Sequence, residues 1–83
     1  MKFTVVWLKS VQFELGEIWL SAADRHAVTA ASDEIDRQLQ QDADHKGRLL
    51  SEGLQTLDVL PLRAVFSVDL ENRIVEVSRI RLL

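Results

Sequence analysis

The chain has 83 residues, 47% hydrophobic and 28% charged, a composition that suits one folded domain spanning residues 1–83 and excludes a disordered chain. It contains no cysteine, which excludes disulfides, thiolate chemistry and cysteine-based zinc sites and fits an expected reducing cytoplasm. Lys9 interrupts the apolar start too early for a signal peptide, and no apolar run approaches the roughly 20 residues of a membrane span, so a soluble protein with no membrane partner is expected.

In chain order, Phe3 to Leu8 is β-branched and aromatic and reads as a strand buried on both faces. From Ser10, read as an N-cap, Val11, Leu15, Ile18, Trp19 and Ala22 recur at helical spacing, with Gly16 as a weak point inside the helix. Asp24 caps a second helix whose Ala27, Val28, Ala31, Ile35 and Leu39 share one face, and the loss of period after Gln41 or Asp42 predicts its end there. Polar residues around Ser51-Glu52-Gly53 lead into a short strand, Leu54 to Leu60, stopped by Pro61. Leu62 to Val68 alternates as a strand, Asp69-Leu70-Glu71-Asn72 has turn chemistry, and Arg73 to Arg81 returns as the last strand. The order β-α-α-β-β-β predicts an α+β fold, an antiparallel sheet packed against two N-terminal helices.

Charge is unevenly distributed along this order. The net charge is -3 and the pI about 5.2. Residues 1–45 carry four cations against eight carboxylates, or -4, whereas residues 46–83 carry six against five, or +1. Arg63, Arg73, Arg79 and Arg81 all fall on the closing hairpin, and guanidinium groups match phosphate or carboxylate oxygens in pairs. A two-residue turn at Leu70-Glu71 gives the better apolar face, grouping Leu62, Ala64, Phe66 and Val68 with Val75 and Val77. It also sends Arg63 to the face opposite Arg79 and Arg81; a three-residue turn would bring them together.

Other candidates for chemistry are few. His26 and His45 are the only side chains with an ordinary pKa near neutrality, and the chain has no tyrosine. Asp42, Asp44 and His45 share a loop, but two carboxylates and one imidazole are a thin ligand set, and no metal or other cofactor is expected. Glu52 serves as a base only if the sheet brings it near Arg63. Trp7 and Trp19 are expected in the core.

Val5-Val6-Trp7, Leu15, Ile18-Trp19, Asp24-Arg25 before an Ala-rich helix with Ile35-Asp36, then Gly47, Gly53 and Pro61-Leu62-Arg63-Ala64-Val65-Phe66-Ser67-Val68 together resemble the RelE/ParE superfamily of plasmid-stabilisation toxins. The resemblance covers nearly the whole chain and implies the toxin of a type II toxin–antitoxin system, a growth inhibitor neutralised by a cognate antitoxin. It implies one of two targets, messenger RNA cut in the ribosome by ribose 2′-hydroxyl attack, or DNA gyrase. Arg63, Arg79 and Arg81 take the catalytic, phosphate-stabilising positions, and Lys46, Arg48 and Arg63 those that contact nucleic acid. A catalytically degenerate protein-binding module of the same fold is the alternative. So small a domain buries only roughly 60–65% of its unfolded surface, so a stabilising antitoxin or a second copy in a homodimer is also expected.

Overall fold

The computed structural model describes residues 2–83. Strand β1 (Thr4–Trp7) is followed by α1 (Lys9–Ser21), α2 (Arg25–Lys46), β2 (Arg48–Ser51), β3 (Leu54–Val59), β4 (Leu62–Asp69) and β5 (Ile74–Leu82). The strands form one five-stranded sheet in the order β1-β5-β4-β3-β2. The expected α+β architecture is present, with β2 to β5 antiparallel and two additions. β2 forms just ahead of the polar Ser51-Glu52-Gly53, where the sequence predicts no strand, and β1 joins the far side of β5 in parallel. As an edge strand β1 is not buried on both faces: Thr4 and Val6 are exposed and Val5 and Trp7 half-buried.

Both helices pack on one face of the sheet. The core there is Phe3 and Val11, the α2 stripe Val28, Ala31, Ile35, Leu39 and Ala43, and the inward residues of β4 and β5, including Phe66, Val75, Val77 and Ile80. The alanines of α2 bring its backbone close to the strands. No helix among the described residues is long and apolar enough to cross a membrane.

The helix ends depart from expectation in instructive ways. Helix α1 is entered from Leu8, whose carbonyl accepts from Val11 and Gln12 at 2.9 Å; Ser10 lies inside the first turn and caps nothing. Asp24 caps α2 as expected, its Oδ1 accepting from the Ala27 N–H at 3.1 Å. The backbone leaves helical geometry at Asp42 (φ -155°, ψ 51°), where the apolar period fails, but the helix resumes to Lys46 because fully buried Ala43 anchors its last turn. Trp7 ties β1 to α2 through an Nε1–H donated to Asp36 Oδ1 at 2.9 Å. Trp19 is not a core residue: it stays 39% exposed, with its Nε1–H on Thr29 and the Arg25 guanidinium 4.7 Å from the ring centroid.

The β4–β5 hairpin decides where the arginines go. Asp69 pairs with Ile74, leaving the four-residue loop Leu70-Glu71-Asn72-Arg73 in place of the shorter turns considered above. Asp69 accepts from the Asn72 N–H at 3.1 Å, and the left-handed residue is Arg73 (φ 55°) rather than Asn72. An even loop length keeps the apolar grouping, so Val68 faces Val75 and Phe66 faces Val77. Past that point a bulge inserts Ser78, and from there Val65 faces Arg79, Ala64 faces Ile80 and Arg63 faces Arg81. Arg63 therefore shares a face with Arg79 and Arg81, contrary to the reading from turn length alone.

Candidate functional site

The face of the sheet away from the helices carries an open groove of about 800 Å³. Arg48, Arg63, Arg79 and Arg81 line it with Thr56, Val65 and Ser78, and Leu49, Leu50 and Leu54 extend it along the β2 edge. The ladders set these side chains in two rows across the strands. One runs Arg48, Thr56, Val65, Arg79; the next runs Asp58, Arg63, Arg81. With neighbouring strands about 4.8 Å apart, the first row separates Arg48 from Arg79 by about 14 Å. That spread exceeds the reach of one phosphate and suits a chain of them.

The four guanidinium groups are not equivalent. Arg63 donates from Nε and Nη2 to the two carboxylate oxygens of Asp58, at 2.7 and 2.8 Å, a fork-to-fork pair. This bond to Arg63 holds the Asp58 carboxyl below its ordinary value of 3.8, and the same bond raises the Arg63 guanidinium above its ordinary value. Asp58 was not foreseen as part of the site; its direct cross-strand position opposite Arg63, two residues from each side of the Leu60-Pro61 turn, was the available signal. Arg48, Arg79 and Arg81 make no ion pair among the described residues.

The remaining sequence candidates lie elsewhere. Lys46 ends α2 and lines a separate recess with Lys2, Gln41 and Asp42, away from the groove. Glu52 sits exposed in the β2–β3 turn beside Gly53 (φ 78°), and His26 is exposed in the first turn of α2. His45 Nδ1 bonds to Asp42 Oδ1 at 3.0 Å and lies 3.3 Å from Asp44 Oδ1, which is buried without a hydrogen-bond partner. None of these residues lines the groove, so what the groove offers chemically is electrostatic: paired N–H donors and positive charge, suited to binding phosphate oxygens or stabilising charge that develops on them.

A sheet of this order, backed by a helical pair and open on its other face, is the RelE/ParE toxin fold. Solved structures that carry it include three toxin–antitoxin complexes. The RelBE2 toxin–antitoxin complex of Mycobacterium tuberculosis contains a chain matching this one over 100% of both chains, with a TM-score of 0.81 and 16% identity. The chromosomal ParDE system of P. aeruginosa matches over 99% of this chain and 97% of its own, with a TM-score of 0.72 and 23% identity. The archaeal RelE–RelB complex of Pyrococcus horikoshii OT3 matches over 99% and 96%, with a TM-score of 0.59 and 14% identity. In sequence alone, no family model and no curated protein matches the chain.

Proposed function

We propose that this chain is the toxin of a type II toxin–antitoxin pair in the cytoplasm, held inactive by a cognate antitoxin, and that its groove engages messenger RNA on the ribosome. The observation that carries this reading is the convergence of Arg48, Arg63, Arg79 and Arg81 on one open sheet face, in a chain of net charge -3. Concentrating cations on one face of an acidic protein costs mutual repulsion, and an anionic ligand offsets it. The resemblance to toxin chains solved with antitoxins supports the partner.

In this reading the guanidinium groups bind the RNA backbone and stabilise the extra charge on phosphorus when the neighbouring 2′-hydroxyl attacks. The substrate supplies the nucleophile, and arginines supply the electrostatics. Apart from Asp58, whose carboxylate is held by Arg63, the groove has no imidazole, carboxylate or phenol to move protons. That favours a second reading, in which the same face binds without cleaving, either to gyrase or as a protein-binding module.

Inducible expression tests these readings. Wild type is expected to arrest growth, the Arg79→Ala/Arg81→Ala double variant to fold without arresting it, and the protein encoded by an abutting reading frame to relieve the arrest. Transcripts cut only when translated, with plasmid supercoiling unchanged, support RNA as target. Intact transcripts with altered supercoiling point to gyrase, and folded protein that arrests nothing overturns the toxin reading.

A further inference from the structure

Asp58, Arg63 and Arg81 form one cross-strand row, with two arginines side by side and a carboxylate at the far end. Like charges directly opposed on a sheet are destabilising, so this juxtaposition needs a counterion. Asp58 supplies it through hydrogen bonds to Arg63, taking up both the Nε and Nη2 donors at 2.7 and 2.8 Å, with only a weaker, unbonded attraction to Arg48. Arg63 thereby keeps its place in the groove wall but loses its free fork and most of its net field. Arg81, with no partner among the described residues, keeps both, as do Arg79 and Arg48.

We infer that Asp58 withholds Arg63 from the ligand, so that Arg48, Arg79 and Arg81 are the groove's phosphate-binding cations and Asp58 sets how tightly the face holds a polyphosphate chain. This rests on the reading of the groove as a nucleic-acid surface. Arg63 is then a positioning residue whose guanidinium braces β3 against β4, and the ligand sees three positive charges instead of four. A protein that must release its polyanion benefits from that reduction, because each neutralised phosphate steepens the salt dependence and tightens binding.

The test is fluorescence anisotropy of a single-stranded RNA oligomer across a salt series, using the full chain. Each phosphate contact contributes about 0.7 to the logarithmic salt slope of single strands. Arg79→Gln and Arg81→Gln are each expected to lower the slope by that amount. Asp58→Asn should raise it by the same amount and tighten binding several-fold, because Arg63 joins the contacts. The Asp58→Asn/Arg63→Gln double variant should return to wild-type affinity within about twofold, since it removes a pair that contributes no net charge. A double variant that loses as much as Arg79→Gln overturns the inference while leaving the groove reading intact. RNA binding indifferent to all four substitutions overturns the groove reading and this inference with it. Nitrogen-15 spectra of the arginine side chains supply an independent readout: Arg63 Nε–H should be protected from exchange in wild type and released in Asp58→Asn. Rapid exchange of Arg63 in wild type, with or without RNA, overturns the inference.

Discussion

Arg63 and Arg81 stand directly opposite one another across the β4–β5 ladder, and the bulge at Ser78 is the reason. Between Val77 and Arg79 the strand carries one residue more than its partner. Were Ser78 to pair in the ladder instead of bulging, the register set by the hairpin loop would place Arg63 opposite Ile80 and turn that isoleucine out of the core. Inward and outward alternation is regular on each side of the bulge, with Val75, Val77 and Ile80 buried and Glu76, Arg79 and Arg81 exposed.

Deletion of Ser78 should therefore be tolerated. The shortened strand keeps every pairing from Arg79 to Leu82 and forfeits only the long Ser78 hydroxyl bond to the Val65 carbonyl, at 3.4 Å. Truncation of Ile80, which is 2% exposed, should cost about 2–5 kcal/mol. Urea denaturation of the two variants checks the order: a deletion more damaging than Ile80→Ala would mean that the bulge is needed for the fold itself.

Two glycines should respond to alanine in opposite directions. A methyl group on Gly47 would lie 2.5 Å from Phe66 Cζ and 2.7 Å from Gln55 Oε1, and the fully buried Phe66 ring has no room to yield. Gly47→Ala is expected to destabilise by about 1–3 kcal/mol. Nothing lies within 4 Å of the corresponding position on Gly16, inside α1, so Gly16→Ala should stabilise by about 0.5–1 kcal/mol. Thermal unfolding of both variants measures the signs.

The α2 cap can be tested alone. Asp24 accepts from the Ala27 N–H, and removing that acceptor by Asp24→Ala should cost about 1 kcal/mol, with Asp24→Asn or Asp24→Ser retaining most of it. Equal losses in alanine and serine variants would deny the capping role.

Stability should pass through a maximum in mildly acidic solution. Glu34 is lowered from 4.5 to about 2 by its bond from Arg37, and Asp42, Asp58 and Asp69 lie below 3.8 through bonds from His45, Arg63 and Asn72. Depressed carboxyls stabilise above their unfolded values and lose that contribution as pH falls below about 4. His45 is raised above 6.5 by its bond to Asp42, so its contribution is full below 6.5 and fades as pH rises through the folded value. Urea midpoints measured from pH 2 to 9 should peak between about 4.5 and 6.5, and His45→Gln should flatten the decline on the alkaline side. The groups are solvent-exposed, so the peak should be shallow.

Sequence pattern disclosed most of the fold because its main elements are long and strongly periodic. The α2 face from Val28 to Leu39 is buried as read, and so are Leu62, Ala64 and Phe66 of β4, although Val65 on the opposite face is buried too and Val68 only half so. Failures came where tertiary context outweighed local signal. Ala43 carries α2 past its apparent stop, and β2 is a strand of four exposed residues held by its pairing with β3. The groove was half legible: Arg48, Arg63, Arg79 and Arg81 could be named, but not their common face, because the bulge residue Ser78 has no sequence signature of its own. Asp58 escaped notice because its meaning comes from register, not from type.

Strand β5, the last in the chain, lies between β1 and β4 and contributes two of the groove's arginines. Peeling it away would unzip both neighbours, strip Val75, Val77 and Ile80 from beneath the helices and scatter Arg79 and Arg81 together. The binding face and the hydrophobic core therefore belong to one cooperative unit, and a partly opened molecule that has lost β5 has neither. Fraying at β2 behaves differently, costing the groove only its rim of Arg48, Leu49 and Leu50. The cationic face is thus complete only while β5 stays seated against β4.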